Sequence, residues 1–318
     1  MTAPSEQETQ LTAHGAPSGD VRAALKHAMA LLRAANVPSH TLAAELLLMH
    51  VLGRDRTWLY AHHEEPLAFD AAEHYFGLVA RRCEGVPTQY LTGKQEFWSL
   101  EFEVGPGVLI PRPETEHVVE VALARLGPPE ADDPRPRGSG LRIADVGTGS
   151  GCLAIALARE LPGALVIATD ISAAALAYAR RNAARYAVAE RVILVHCNLM
   201  DGLPGSSPAA GHSPLDLIVS NPPYIARAEA ESLPREVRAH EPPEALFGGP
   251  EGHEFYPSLV DQARNLLCDG GLFVAELGYN SVARVVPLLD ASRDWRDVSV
   301  THDLAGIPRV LAATRQRD

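Results

Sequence analysis

The sequence has few cysteines and no long hydrophobic stretch, and each absence excludes a class of protein. The four cysteines, Cys83, Cys152, Cys197 and Cys268, are far apart and form no CxxC pair, so we expect neither a disulfide framework nor a zinc site. No apolar run is long enough to cross a membrane. We therefore expect a reduced, cytoplasmic protein that uses no metal and has no membrane partner.

The sequence is also poor in positive charge, with 28 Lys and Arg residues against 40 Asp and Glu residues and a net charge of −12. Broad binding to a nucleic-acid backbone needs stripes of Lys and Arg, so a nucleic-acid substrate is not expected. The excess of acidic residues favours a protein partner that carries positive charge. Residues 1–19 lack the basic start and apolar core of a secretory signal, and we expect them to form a disordered tail.

The part of the sequence that follows this tail has apolar residues at helical spacing. The stripes predict three main helices, over residues 21–35, 41–52 and 69–83. Asp20 is a suitable N-cap for the first of them. We expect residues 20–88 to form a small helical domain. Residues 89–113 are expected to form a β-hairpin connector, because Phe97, Phe102 and Val104 lie among polar residues at strand-like spacing.

From residue 114 onward, apolar runs typical of buried strands alternate with helical stretches. The predicted strands cover residues 142–146, 165–169, 192–197, 215–220, 271–277, 297–301 and 308–313. Such alternation implies an α/β fold with a mostly parallel sheet, and we assign residues 114–318 to this domain. Within it, residues 127–140 predict a flexible surface connection. Residues 225–255 predict a long loop that either frames a substrate or forms a solvated lid.

A glycine-rich segment, Asp145-Val-Gly-Thr-Gly-Ser-Gly151, lies between the first predicted strand and the next helix. This is the context of a nucleotide-binding glycine turn, in which the backbone approaches a ligand closely and helix N–H groups face a carboxylate. Its spacing is GxGxG, whereas a dinucleotide fingerprint requires GxGxxG/A. The spacing therefore disfavours a pyrophosphate-binding role, which stays open as an alternative. The glycine turn gives five candidate cofactor contacts, Gly147, Thr148, Gly149, Ser150 and Gly151.

Two further strand ends carry polar residues that suit a nucleoside. Asp170 ends the second strand and can accept hydrogen bonds from both ribose hydroxyls. It could instead cap the next helix, although Ser172 is placed to fill that role. Asn198 follows the third strand, where its side-chain oxygen could accept from an adenine amine while Leu199 packs on the ring, or it could be a polar residue in a turn. A carboxylate anchor and a ribose acceptor without a phosphate loop suggest S-adenosylmethionine.

The fourth predicted strand leads into Asn221-Pro222-Pro223-Tyr224, here called the proline corner (residues 221–224). Asn221 precedes a proline, so its backbone is extended, and the prolines have no N–H, so no local helix claims their carbonyls. The corner could hold a planar NH2 group between the Asn221 side chain and the Pro222 carbonyl, with the Tyr224 ring against it and Pro223 as a stiffener. Asn221 is also a candidate cofactor contact. On these four residues alone, an ordinary turn is equally well supported.

The glycine turn, Asp170 and the proline corner together resemble the class I S-adenosylmethionine-dependent methyltransferases that modify planar amino groups. Adenine-N6 and guanine-N2 methyltransferases would also fit this set. Gly93-Lys-Gln-Glu-Phe-Trp98 and Leu109-Ile-Pro-Arg-Pro-Glu-Thr-Glu116 resemble the HemK/PrmC family, which methylates a glutamine of peptide chain release factors. The resemblance continues through residues 237–246 and 303–309 and covers the chain from about residue 21.

This resemblance implies a Rossmann-like methyltransferase domain with a mostly parallel seven-stranded sheet, preceded by a helical domain that binds substrate. It implies methyl transfer from S-adenosylmethionine to N5 of the glutamine in the Gly-Gly-Gln motif of release factors 1 and 2. Asn221, Pro222 and Tyr224 would be catalytic, and the whole proline corner would bind the glutamine.

Three alternatives remain at this stage. The related PrmB enzymes methylate a ribosomal protein, but they usually carry Leu-Val-Pro-Arg-Ser-Pro where this chain has Ile-Pro-Arg-Pro-Glu-Thr. A nucleic-acid amino-methyltransferase is disfavoured by the acidic composition, and a nucleotide-binding dehydrogenase by the GxGxG spacing. Asn198-Leu199 departs from the family, which commonly has Asp followed by an aromatic or apolar residue, so adenine affinity could differ.

Overall fold

The computed structural model describes residues 19–128, 136–201, 203 and 214–317. The predicted disordered tail lies outside the described residues except for Gly19, and so does the middle of the predicted connection at residues 127–140. The chain divides into two compact units, Met1–Thr92 and Gly93–Asp318. The division falls within residues 89–113, the stretch assigned to the connector. Among the described residues, no helix combines the length and apolar character needed to cross a membrane.

The first unit is a small bundle of helices. Its elements are α1 (Val21–Ala34), α2 (His40–Leu52), α3 (Arg56–Ala61), α4 (Phe69–Cys83) and α5 (Thr88–Thr92). Asp20 caps α1 as predicted, because its carboxylate accepts from the Ala23 N–H at 2.7 Å. Gly53 ends α2 in the left-handed conformation, with φ 61°. The apolar faces meet in one core around Leu32, Leu47 and Tyr75, so the predicted bundle is confirmed.

The second unit begins with a β-hairpin and continues as alternating strands and helices. In chain order its elements are β1 (Lys94–Phe97), β2 (Leu100–Glu103), α6 (Glu116–Leu126), β3 (Arg142–Val146), α7 (Cys152–Glu160), β4 (Leu165–Asp170), α8 (Ala173–Arg185), β5 (Val192–His196), β6 (Leu215–Ser220), β7 (Ile225–Ala226), α9 (Arg235–His240), α10 (Pro243–Leu246), β8 (Phe247–Gly249), α11 (Phe255–Leu266), β9 (Leu267–Glu276), α12 (Val282–Asp290), β10 (Trp295–His302) and β11 (Pro308–Arg315). Two 3-10 helices add Pro113–Thr115 before α6 and Arg227–Ser232 after β7. In the hairpin, Phe97 and Phe102 are buried with ring centroids 6.1 Å apart, as their spacing predicts.

Seven strands form one sheet in the order β10-β11-β9-β6-β3-β4-β5. The pairs β9-β6, β6-β3, β3-β4 and β4-β5 are parallel, and β11 runs antiparallel to both of its neighbours. This is the mostly parallel seven-stranded sheet expected from the sequence. Because β3, β4, β5, β6 and β9 run in one direction, their carboxyl ends meet at one edge. The polar residues that follow these strands therefore lie together, which places a binding site at that edge.

The prediction of a long loop over residues 225–255 is wrong. This stretch contains β7, a 3-10 helix, α9, α10 and β8, and β7 pairs in parallel with β8. Each of these elements spans only one or two turns or a few strand residues, which is too short to produce a hydrophobic period. Pro234 and Pro243 reinforced the loop interpretation, yet they stand at the beginnings of α9 and α10, where proline is well tolerated.

Candidate active site

A cavity of about 390 Å³ opens at the carboxyl edge of the sheet in the second unit. This volume lies within the usual range for small-molecule and cofactor sites. Its wall contains most of the residues singled out in the sequence, namely Gly147, Thr148, Gly149, Ser150, Asp170, Asn198, Leu199, Asn221, Pro222 and Pro223. Two candidates, Gly151 and Tyr224, lie outside the wall. Among the described residues, no group of three or more His, Cys, Asp or Glu side chains is placed to hold a metal ion.

The glycine turn passes under the cavity in a conformation that requires glycine. Gly147, Gly149 and Gly151 have φ values of 74°, 56° and 85°. A Cβ on Gly147 would meet nothing within 4 Å, so its backbone is open to a ligand. A Cβ on Gly151 would instead lie 3.0 Å from Ile155 Cδ1 and 3.2 Å from Ala179 Cβ. Gly151 therefore allows the packing of α7 against α8 and does not face the cavity.

Asp145, the penultimate residue of β3, fixes the glycine turn through its side chain. One oxygen of its fully buried carboxyl accepts from the Thr148 hydroxyl at 2.6 Å and from the Ala154 N–H at 3.0 Å. Burial raises the pKa of Asp145 to about 7, while these two hydrogen bonds lower it. The Thr148 hydroxyl is taken by Asp145 and its N–H by the Thr169 carbonyl at 2.8 Å, so Thr148 helps to fix the shape of the turn.

Asp170 links β4 to the glycine turn and leaves part of its carboxylate open to the cavity. Its Oδ2 accepts from the Gly149 N–H at 2.8 Å, and its Oδ1 accepts from the Ser172 N–H at 2.8 Å. Burial raises the pKa of Asp170, and these backbone bonds oppose the shift. Ser172 caps α8 as expected, accepting from Ala175 N–H at 3.2 Å. Each carboxylate oxygen retains acceptor capacity, which suits a pair of ligand hydroxyls.

Asn198 and Leu199 form the part of the wall that follows β5. The Asn198 side chain is exposed, and its Nδ2 donates to Asp201 Oδ2 at 3.4 Å. In this orientation, Oδ1 of Asn198 is left to accept a hydrogen bond from a ligand amine. Leu199 is half-buried with φ 46°, a left-handed conformation that carries its side chain onto the core beneath the sheet. The two side chains thus offer one polar and one apolar contact.

The proline corner continues β6 and is fixed from two sides. Asn221 Nδ2 donates to the Thr115 hydroxyl at 3.0 Å, which anchors the Asn221 side chain at the cavity wall. The backbone is covered by the glycines of the β8 segment: a Cβ on Gly248 would lie 2.5 Å from the Pro223 oxygen. A Cβ on Gly252 would likewise lie 2.5 Å from the Tyr224 oxygen. Only glycine allows this approach.

Tyr224 points away from the cavity wall. Its hydroxyl donates to Glu276 Oε1 at 3.1 Å, and burial raises its pKa. Its ring lies beside Gly278, where an added Cβ would be 3.0 Å from Tyr224 Cδ2. The structure thus brings the other three residues of the proline corner to the cavity and directs Tyr224 to the end of β9. Stacking of Tyr224 on a substrate amide stays a prediction.

Sequence reasoning missed three buried polar residues, of which two contact the proline corner. Thr115 is 2% exposed and contacts Asn221, and Glu276 is fully buried beside Tyr224. Glu241 is also buried; it accepts from Arg112 Nη2 at 2.6 Å and from the Ile110 N–H at 3.2 Å. Glu276 could have been found, because it ends a strand at the same edge as Asp170. Thr115 and Glu241 lie in segments that carry the family resemblance, residues 109–116 and 237–246, but no strand end or turn signal distinguishes them from their neighbours.

Comparisons with known proteins fit this geometry. Residues 23–93 match the PrmC N-terminal domain, and residues 135–237 match the methyltransferase small domain. The chain is 43% identical over 292 residues to a release factor glutamine methyltransferase of Koribacter versatilis, covering 92% of this chain and 96% of that protein. It is 44% identical over 295 residues to the protein of the same name from Chlorobaculum tepidum, covering 92% and 96%.

Among solved structures, the catalytic domain of hMettl16 in complex with MAT2A 3′UTR hairpin 6 shares the fold. The likeness has a TM-score of 0.52 at 18% identity and covers 76% of this chain and 82% of that one. The sheet order, the glycine turn after β3 and the acidic residue that ends β4 define a class I S-adenosylmethionine-dependent methyltransferase. On the near full-length similarity to its relatives, the chain belongs to the release factor glutamine methyltransferase family.

Proposed function

We propose that this protein transfers a methyl group from S-adenosylmethionine to N5 of the glutamine in the Gly-Gly-Gln motif of peptide chain release factors 1 and 2. The observation that carries the proposal is the Asn221 amide, which is anchored to Thr115 in the wall of the same cavity that the glycine turn lines. The names of the relatives support the substrate class. A cytoplasmic location fits a substrate that acts in translation.

The cavity fits the methyl donor through its chemistry. The Gly147 N–H donates to the Thr169 carbonyl at 2.9 Å, so Gly147 offers its open carbonyl, which can accept from the amino group of S-adenosylmethionine. The unused acceptor positions of Asp170 suit the ribose hydroxyls. Asn198 and Leu199 line the wall where the adenine would lie. When bound, S-adenosylmethionine supplies an activated methyl group, because its sulfur is a positively charged leaving group.

The task left to the protein is to make an amide nitrogen reactive. The nitrogen of a glutamine side chain shares its lone pair with the neighbouring carbonyl and is a weak nucleophile. If its NH2 donates to Asn221 Oδ1 and to the Pro222 carbonyl, the lone pair can point toward the methyl group. These bonds strengthen as positive charge develops on the nitrogen, so they stabilise the transition state more than the ground state. Fixed positioning contributes further.

A crossed pair of variants tests these roles. Asn221→Ala is expected to lower methyl transfer by roughly 100-fold or more, because it removes an acceptor that acts on the reacting nitrogen. Its affinity for S-adenosylmethionine should change by less than about threefold. Asp170→Ala is expected to weaken cofactor binding by about tenfold or more, because two ribose contacts are lost. Transfer is measured with a labelled methyl group and affinity by calorimetry.

The substrate class is tested in the same assay. Release factors 1 and 2, a release factor whose glutamine is replaced, a ribosomal protein fraction, and DNA or RNA are offered in parallel. Label should enter the unmodified release factors alone. Label in the nucleic acid, or equal label in the glutamine-substituted factor, would overturn the assignment. Near-normal turnover by Asn221→Ala would remove Asn221 from the reaction.

A further inference from the structure

Two hydrogen bonds link the proline corner to buried polar residues, one from Asn221 to Thr115 and one from Tyr224 to Glu276. Asn221 Nδ2 donates to the Thr115 hydroxyl at 3.0 Å. Thr115 is contributed by the 3-10 helix Pro113–Thr115, so the partner of Asn221 belongs to a different element from the corner itself. Thr115 is 2% exposed and also forms part of the cavity wall. The contact is therefore shielded from water that could replace it.

The second of these buried residues is Glu276 at the end of β9. Its side chain is fully buried, and its Oε1 accepts from the Tyr224 hydroxyl at 3.1 Å. Its Oε2 has no hydrogen bond of good geometry to the part of the chain that the structure describes. The Thr115 hydroxyl interacts with this carboxyl and favours its ionised form. Because the Tyr224 hydroxyl occupies Oε1, Oε2 is the oxygen left to accept from Thr115.

This arrangement decides which way the Asn221 amide faces. A threonine hydroxyl has one proton and two lone pairs. When the Glu276 carboxyl is ionised, it accepts the Thr115 proton. Only a lone pair then remains for Asn221, which must present its NH2 to Thr115. Its oxygen is left for the cavity. With the amide turned over, Asn221 would offer NH2 to the NH2 of a glutamine, and two donors form no hydrogen bond.

On the basis of the proposed function, we propose that Thr115 and Glu276 are positioning residues that hold the Asn221 amide with its oxygen toward the substrate nitrogen. Neither residue touches the reacting atoms; both act through Asn221. The specificity for an NH2 group then depends on the Glu276 carboxylate, which acts through Thr115 on Asn221, and not on Asn221 alone. Tyr224 takes part by occupying the other oxygen of Glu276.

Thr115→Val and Thr115→Ser form a matched pair that tests this role. Valine keeps the shape of threonine and removes the hydroxyl, whereas serine keeps the hydroxyl. We expect Thr115→Val to lower kcat by roughly tenfold or more, the usual effect of one lost positioning hydrogen bond of a buried group. Its affinity for S-adenosylmethionine should stay within about twofold, and Thr115→Ser should recover kcat to within about threefold of the unaltered enzyme.

Glu276→Gln reverses the polarity with little change in shape. Its amide NH2 would donate to the Thr115 oxygen and free the Thr115 proton to point at Asn221. This variant is therefore expected to lose kcat by about fivefold or more with cofactor affinity retained. Retention of full kcat by both Thr115→Val and Glu276→Gln would overturn the inference. If Thr115→Val does not fold, Thr115→Ala is the second hydroxyl-free variant.

A second readout does not depend on the substrate. In protein labelled with ¹⁵N-asparagine, the side-chain NH2 signals of Asn221 should shift in Thr115→Val and return in Thr115→Ser. Unchanged signals in Thr115→Val would show that the hydroxyl does not hold Asn221. If the unaltered enzyme does not methylate a release factor, the proposed function fails while this measurement still decides the positioning role.

Discussion

Two buried carboxyl groups of the second unit, Asp145 and Glu276, have similarly raised pKa values in different surroundings. Burial raises the pKa of each to about 7. Asp145 accepts hydrogen bonds from the Thr148 hydroxyl and the Ala154 N–H, and these bonds fix the glycine turn. Glu276 accepts a hydrogen bond from the Tyr224 hydroxyl. This bond and the positive charge of Arg309 both oppose the rise in its pKa. A carboxyl that titrates near neutral pH makes the free energy of unfolding depend on pH.

Glu276→Gln tests this dependence at the level of one residue. The folded-state pKa of Glu276 is about 7 and its ordinary value is 4.5, so the fold favours the neutral acid. Its contribution to stability is full below about pH 4.5 and is lost as the pH rises through about 7, at most roughly 3 kcal/mol at 1.36 kcal/mol per pKa unit. Glutamine cannot ionise. The stability of Glu276→Gln relative to the unaltered protein should therefore rise by up to that amount between pH 4 and pH 8.

Urea unfolding at four pH values across this range measures the difference. Asp145 titrates in both proteins, so its effect cancels in the comparison. Glu114 and Arg309 also face Glu276 and are the same in both proteins. A stability difference that is constant with pH would mean that Glu276 keeps its ordinary pKa in the folded protein.

At the scale of elements, the short segment around β8 determines the shape of the proline corner. At Gly248 and Gly252 the backbone of this segment approaches the carbonyls of Pro223 and Tyr224 closely. A Cβ on Gly248 would lie 2.5 Å from the Pro223 oxygen, which is closer than any unstrained contact. The backbone that carries Asn221 and Pro222 would have to move. The position of Asn221 and Pro222 in the cavity wall therefore depends on the backbone of this segment, which also contributes Phe247 to the wall.

Gly248→Ala and Gly77→Ala form a matched comparison of the same chemical change. Gly248→Ala is expected to lower kcat by about tenfold or more and to destabilise the protein by roughly 1–3 kcal/mol, because overpacking shifts the corner. Gly77 lies in α4, where an added Cβ meets nothing within 4 Å. Gly77→Ala should stabilise its helix by about 0.5–1 kcal/mol and leave kcat unchanged. Steady-state kinetics and thermal unfolding provide both readouts. Equal kcat in the two variants would show that β8 does not set the corner.

Long elements with a clear period could be predicted from the sequence, and contacts between distant segments could not. The bounds of α4, β3 and β6 agree with the predicted ranges, because α4 has a helical period, β3 and β6 are apolar runs, and each is followed by a turn signal. β9 begins at Leu267 and not at residue 271, since Asp-Gly-Gly interrupts its apolar pattern. Thr115 escaped prediction because its partner Asn221 lies 106 residues away. Tertiary structure alone brings them together.

For the whole molecule, the net charge of −12 bears on how a protein substrate arrives. One glutamine side chain offers little contact area compared with a specific protein interface. We propose that the helical unit and the hairpin hold the rest of the release factor. An acidic protein attracts a partner with a basic surface over distances of the order of the Debye length, about 10 Å at 0.1 M salt.

The salt dependence of the reaction tests this attraction. Raising the NaCl concentration from about 50 to about 500 mM should lower kcat/KM for an intact release factor by roughly tenfold, because screening slows association. Affinity for S-adenosylmethionine should fall far less, since its site depends on short hydrogen bonds. A short peptide with the Gly-Gly-Gln motif is the control and should show a weak salt effect. If kcat/KM for the intact factor is constant or rises with salt, the acidic surface does not guide the substrate, and apolar contacts must supply the affinity.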